Sequence, residues 1–178
     1  GLMSIPGGGA EILSDRIRRE VLAYPKASPE EWLDVMRQAH ANGLRTTATM
    51  MFGMGEDLEA RVEHLERIRG LQDETGGFTA FIAWTFQHEN TDLPDVPETF
   101  AHEYLKTLAV SRLFLDNIVH LQSSWVTQGK KIGQAGLAFG ADDMGSIMIE
   151  ENVVSAAGAH HEMTQEEMEH LIRAAGFR

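Results

Sequence analysis

The sequence contains no cysteine. That absence excludes disulfides, thiol nucleophiles and cysteine-ligated metal within these 178 residues. Long apolar runs are missing too. No window approaches the roughly 20 residues that a membrane helix needs, and no basic-then-apolar leader starts the chain. Both absences point to a cytoplasmic protein and away from a membrane partner. Positive charge is scarce: 15 Lys and Arg against 27 Asp and Glu give a net charge of −12. A surface so acidic repels phosphate backbones, which argues against nucleic acid as a partner. The densest basic stretches, Arg16–Arg19 and Lys130-Lys131, are short and read as solvated helix faces.

What is present is an ordinary globular composition, 43% hydrophobic and 24% charged. One core is expected, in a single domain over 1–178. Strand and helix signals alternate along it. Leu2–Pro6 is a short apolar run stopped by Pro6 and Gly7-Gly8-Gly9, and helical periodicity follows from Ala10 to about Ala23. Ser28, Pro29 and Glu31 spell a capping box for a helix whose stripe is Trp32, Val35, Met36 and Ala39. Asn42-Gly43 ends it. Leu44–Phe52 reads as a buried strand, Asp57–Gln72 as a helix with Leu58, Val62, Leu65 and Ile68 inward, and Phe78–Phe86 as the clearest strand. Glu98–Asp116 is a helix, Ile118–Ser124 a strand, Thr127–Phe139 a helix and Gly145–Ile149 a strand. A last helix opens on a second capping box, Thr164 to Glu167, with Met168, Leu171, Ile172 and Ala175 as its stripe and a charge pattern that suits an outer-surface helix. About five strands alternating with six helices specify βαβ units and a parallel sheet, either doubly wound or part of a βα-barrel. A complete barrel takes about 250 residues, so the chain is short for one.

In such sheets, chemistry collects at the carboxyl ends of the strands. That rule selects Gly7-Gly8-Gly9 with Glu11, then Gly53, Gly55 and Glu56, then Gln87, His88 and Glu89, then Gln122–Trp125, and finally Glu150, Glu151 and Asn152. The glycine triplet lets backbone approach an anionic ligand closely, or is simply a tight turn. Paired carboxylates after an apolar run are costly if buried unpartnered; at a strand end they can bind hydroxyls or move protons. Thr46, Thr47 and Thr49 need hydroxyl partners, either backbone or ligand. Met50, Met51 and Met54 read as core. His64, His102 and His170 read as exposed helix residues and His120 as a satisfied core group, while His160-His161 lacks further ligands at metal-binding spacing, so no metal site is expected.

Four segments share one resemblance: LMSIPGGGAEIL at Leu2–Leu13, TTATMMFG at Thr46–Gly53, QSSWVTQG at Gln122–Gly129 and MIEENVVSAAG at Met148–Gly158. Together they resemble the radical S-adenosylmethionine enzymes of the futalosine route to menaquinone. The resemblance covers the whole chain and is nearest to the members that cyclise dehypoxanthine futalosine. Siblings make aminofutalosine or form the second subunit of deazaflavin F0 synthase. The family's fold is a parallel βα-barrel, here its C-terminal part, with a C-terminal extension. Its C-x-x-x-C-x-x-C loop, which holds a [4Fe-4S] cluster, is expected upstream of Gly1. The chain is therefore expected to be a piece of a longer chain, inactive alone, with the N-terminal barrel segment or a second copy as its partner. A non-catalytic α/β binding domain without the cluster is the alternative.

The resemblance implies radical chemistry on a small nucleoside-derived substrate. Reductive cleavage of S-adenosylmethionine yields a 5′-deoxyadenosyl radical, which takes hydrogen from the substrate ribose. The sugar radical adds to the benzoate ring, and loss of an electron and a proton restores aromaticity. By resemblance, Ser4, Thr49, Met51, Gly53 and Glu56 contact S-adenosylmethionine, and Glu11, Gln87, Gln122, Ser124 and Asn152 line the substrate end. From chemistry alone, Glu150 is the candidate acceptor of the final proton.

Overall fold

The computed structural model describes residues 1–21, 26–93, 95–148, 152–158 and 160–178. Four parallel strands, β1 (Ser4–Ile5), β2 (Arg45–Phe52), β3 (Phe78–Thr85) and β4 (His120–Gln122), lie side by side in chain order. Helices α1 (Asp15–Glu20) and α2 (Pro29–Ala41) connect β1 to β2. Helix α3 (Leu58–Thr75) connects β2 to β3, and α4 (Ala101–Phe114) connects β3 to β4. Helix α5 (Trp125–Gly136), a short 3₁₀ turn (Leu137–Phe139), α6 (Val153–Ala156) and α7 (Gln165–Ala174) follow. A doubly wound sheet reverses its strand order at a switch point, whereas a barrel adds each strand on the same side. The order β1-β2-β3-β4 has no reversal. This is the C-terminal part of a parallel βα-barrel.

The strands have two unlike faces. Along β2, Ala48, Met50 and Phe52 are buried, while Thr47, Thr49 and Met51 between them are half-buried. The register carries the same split into β3, where Phe81, Ala83 and Thr85 are buried and Ile82 and Trp84 are half-buried. The buried set faces the helices. Trp32 of α2 stacks on Phe78 at 6.3 Å, His64 of α3 lies beside Phe81, and Arg61 of α3 sits 4.6 Å over the Phe52 ring. The half-buried set is the inner, barrel-side face. Among the described residues, the Trp84 indole N–H on that face is buried without a hydrogen-bond partner.

Local chemistry explains the helix ends. Ser28 and Thr164 each form a reciprocal capping box, with Glu31 and Glu167 respectively. At the amino end of the sheet, His40 bridges the hydroxyls of Thr75 and Thr46, at 2.7 Å each. Its ring fills the space beside Gly77, where a Cβ would stand 2.1 Å from it.

Several sequence expectations are corrected. The first helix is only Asp15–Glu20, because Glu11 takes a left-handed backbone (φ 41) and Ser14 is extended; residues 22–25 lie outside the described ones. In α2, Leu33 is buried and Val35 is 58% exposed, so the stripe runs through 32, 33, 36 and 39. In α3 the inward face is Ala60, His64, Leu65, Ile68 and Leu71, leaving Leu58 and Val62 exposed. His64 is fully buried and His120 is exposed, paired with Asp142 at 3.0 Å; the sequence reading had them reversed. The expected strand Gly145–Ile149 is not a strand over its described part. Gly145 turns the chain (φ 73) and donates to the Asp143 carboxylate, so sheet pairing ends at a single bridge from Gln122 to Asp143. Ile149 lies outside the described residues.

Candidate active site at the carboxyl ends of the strands

The loop after β1 is fastened to β2 by the threonines. Gly7 donates to Thr47 Oγ1 at 2.9 Å, and Thr49 Oγ1 donates to the Gly7 carbonyl at 2.6 Å. A Cβ on Gly7 would stand 2.3 Å from the Thr47 carbonyl oxygen, so only glycine allows this approach. Met51 N–H donates to the Glu11 carbonyl at 3.0 Å, which extends the attachment to the end of β2. The partners of Thr47 and Thr49 are thus backbone, and Thr46 pairs with His40.

The same loop is held from behind. The Arg18 guanidinium, in a residue only 9% exposed, donates to the carbonyls of Gly9 and Ile12 at 3.1 Å each and to those of Ala10 and Ala27. Trp32 Nε1 donates to Gly8 at 3.0 Å. Leu13 N–H donates to His64 Nδ1 at 3.0 Å, so that nitrogen must be unprotonated. Burial pushes the His64 ring down to about 3, helped by the Arg18 charge and opposed by the Thr49 backbone. The Glu11 side chain is 10% exposed and pairs with Lys26 Nζ at 2.7 Å.

The turn after β2 is organised by Glu56. Its buried carboxylate accepts from Gly53 N–H at 2.8 and 3.0 Å, from Met54 N–H at 2.8 Å and from Arg61 Nε at 2.8 Å. Arg61 continues to Glu103 and Thr107 of α4, each at 3.3 Å. Glu56, expected to contact S-adenosylmethionine, instead points inward and shapes the Gly53–Gly55 backbone. Gly53 (φ 88) packs on Thr99, whose hydroxyl would be 1.9 Å from a Cβ there.

A cleft of about 510 Å³ opens beyond β3. Thr85, Gln87, His88, Glu98, Thr127 and Gln128 are among its lining residues. Thr85 Oγ1 accepts from Gln128 Nε2 at 2.6 Å and from Gln87 Nε2 at 3.0 Å, which aims both amides into the cleft floor. The segment after α6 forms one wall, tied down by Asn90 Nδ2 donating to the Ala156 carbonyl at 3.1 Å. Beyond β4, Ser124 Oγ and Thr127 Oγ1 share a hydrogen bond of 2.9 Å, while the Tyr104 hydroxyl accepts from Ser124 N–H at 2.7 Å. Burial raises the Tyr104 phenol above its usual range.

Of the sequence-selected residues, Gln87 lines the cleft and Ser124 bonds to its wall residue Thr127. Thr49, Met51 and Gly53 follow one another up β2. Ser4 stands apart: its register partner is Arg45, and Met51 lies about 20 Å further along the strand. Gln122 lies on the inner face against Gly145, away from the cleft. Asn152 is exposed at the start of α6. Glu150 lies outside the described residues. Sequence reasoning missed Thr85, Gln128 and Arg18. Gln128 sat within the QSSWVTQG segment and could have been taken from it; among the described residues Arg18 bonds to backbone alone, which leaves no mark in residue identities.

Comparison with known proteins agrees with this architecture. Residues 75–178 match the family described as CofH/MqnC C-terminal region. Over 99% of its length the chain is 51% identical to the cyclic dehypoxanthine futalosine synthase of Streptomyces coelicolor, covering 44% of that protein. It is 41% identical to the aminodeoxyfutalosine synthase of Thermus thermophilus, with 99% of this chain and 49% of the relative covered. Identity is also 41% to a 5-amino-6-(D-ribitylamino)uracil–L-tyrosine 4-hydroxyphenyl transferase of Methanococcus maripaludis, with 99% and 51% covered. The chain spans about half the length of the curated relatives it matches. With more than half of its residues inside the family match, this chain belongs to the CofH/MqnC family and carries its C-terminal region.

Proposed function

We propose that the protein carrying this chain cyclises dehypoxanthine futalosine by radical chemistry, as a step in menaquinone synthesis. The observation that carries this reading is the gradient of identity: 51% to a cyclic dehypoxanthine futalosine synthase against 41% to an aminodeoxyfutalosine synthase, over the same 99% of the chain.

The residues present divide the task. They do not fit an iron–sulfur cluster: the chain has no cysteine, and among the described residues no three His, Asp or Glu side chains converge as a metal site. What supports S-adenosylmethionine at the β2 end is Gly55, which leaves an open backbone edge where a Cβ would meet nothing within 4 Å, in a turn that Glu56 holds in place through the Gly53 and Met54 amides. Thr49, Met51 and Gly53 are assigned to hold it, Glu56 acting through the turn. When bound and given one electron from a source outside these residues, that cofactor would supply a 5′-deoxyadenosyl radical, with methionine as the other product, able to take hydrogen from a sugar.

The substrate belongs to the cleft and the inner face. Gln87 and Gln128 both donate amide N–H groups to Thr85, which leaves their side-chain carbonyl oxygens to accept from substrate hydroxyls. Gln122 is assigned to the inner face, Ser124 acts through the wall residue Thr127, and Glu11 and Asn152 are assigned to the substrate from the loop after β1 and the start of α6. Met51, Ile82 and Trp84 on the inner face exclude water from a radical intermediate. Glu150 is assigned the proton released when the ring regains aromaticity.

Anaerobic reconstitution of the full-length protein with iron, sulfide, S-adenosylmethionine and a reductant tests this reading. Dehypoxanthine futalosine should be consumed, with 5′-deoxyadenosine and a cyclic product detected by mass spectrometry. The 178-residue chain alone should yield neither. Turnover restricted to the substrates of the sibling enzymes would replace this reading with theirs.

A further inference from the structure

We infer that Arg18 is a positioning residue for this reaction: it sets the backbone of the loop Gly9–Ile12 and so holds the Glu11 carboxylate at the substrate. The inference rests on the function proposed above.

Among the described residues, Arg18 makes four of the five N–H bonds open to an arginine, and all four meet main-chain carbonyls. A buried guanidinium is normally matched to a carboxylate, because a buried charge is costly to solvate any other way. Here the hydrogen-bond acceptors are the carbonyls of residues 9, 10, 12 and 27. The run skips Glu11, whose carbonyl turns the other way to accept from Met51 N–H. That alternation forces residue 11 into the left-handed region at φ 41, which a non-glycine residue rarely adopts. Strain kept at a site by surrounding contacts is a mark of a functional constraint rather than of packing. Two further ties finish the arrangement. Leu13 N–H is held by the neutral ring of His64, and the Glu11 carboxylate is steered by Lys26. The guanidinium also stands close enough to Glu11 for their charges to attract.

The test is a double-mutant cycle in the full-length enzyme, read as KM and kcat for dehypoxanthine futalosine. Arg18→Met and Glu11→Gln should each raise KM about tenfold. The double variant should be no worse than Glu11→Gln alone, since Arg18 acts through that carboxylate. Additive effects, about a hundredfold together, would assign Arg18 a merely structural role and overturn the inference. Should Arg18→Met fail to fold, Arg18→Lys keeps the charge but loses the planar fork. Hydrogen exchange then reads the loop directly: amides 9–13 should exchange faster while α3 is unchanged, and unchanged loop exchange would refute the inference. If the wild-type enzyme leaves dehypoxanthine futalosine untouched, the functional reading falls, and loop exchange still decides whether Arg18 sets the backbone.

Discussion

The two faces of the sheet are made from alternate residues of the same strands, yet they differ in almost every property. On the helix side, Ala48, Met50, Phe52, Phe81 and Ala83 are wholly buried and apolar. On the barrel side, Thr47, Thr49, Met51, Ile82, Trp84 and Gln122 are half-buried, and the polar ones among them hold backbone or stand against a turn. The first face supplies stability through area and packing. The second supplies shape: its hydroxyls position the glycine loop, and its large side chains give a water-excluding floor. Replacing a residue on the first face should therefore change melting, and replacing one on the second should change activity.

The largest expected effect is Phe81→Ala on the helix side, which should cost about 3–5 kcal/mol in denaturant unfolding of the full-length protein. Ile82→Ala, its neighbour on the barrel side, should cost less than about 2 kcal/mol because the site is already half-open. Equal costs would erase the distinction between the faces. Glu56→Gln comes next. It removes the buried partner of Arg61 and should cost about 3 kcal/mol, with Arg61→Met in the same background recovering part of the loss.

Acid then separates the faces by pH. Folded His64 stays neutral down to about 3, whereas the unfolded ring takes a proton near 6.5. Its contribution is present above 6.5 and declines as pH falls from 6.5 toward 3. His64→Gln should flatten the melting profile over that window; an unchanged profile would show that the ring titrates alike in the folded and unfolded protein. The smallest effect belongs to Glu11→Gly, which relieves the left-handed backbone but releases Lys26 and Arg18, so stability should change by less than about 1 kcal/mol while turnover falls. A variant both less stable and equally active would remove Glu11 from the site.

Much of this molecule was legible in its sequence where the signal is local. Both capping boxes, the glycine stop at Gly43 and the stripe of α7 follow from neighbours within a few residues. The family resemblance was carried by short contiguous runs. What failed was non-local. His64 is buried because an amide 51 residues away needs an acceptor, and nothing near it in the chain says so. Helix periodicity identified a stripe in α3 but not its rotation, since Leu58 and Val62 fit the period as well as Ala60 and His64. The final strand was misread because Ile147–Ile149 has strand composition, while Gly145 and Asp143 turn the chain off the sheet before it. Arg18 was read as a solvated base, and its carbonyl partners could be seen only in three dimensions.

The contact between His40 and Gly77 reaches into ancestry and genetics. Gly77 has no positive φ to satisfy; it is glycine only because an imidazole occupies the volume a methyl group would take. The two positions therefore constrain each other as a pair. Alanine at 77 should clash with the ring while histidine stays at 40, and should be tolerated once a smaller side chain replaces that ring. Residue 77 should be free to drift only where the histidine is lost, and a screen for suppressors of Gly77→Ala should return substitutions at position 40.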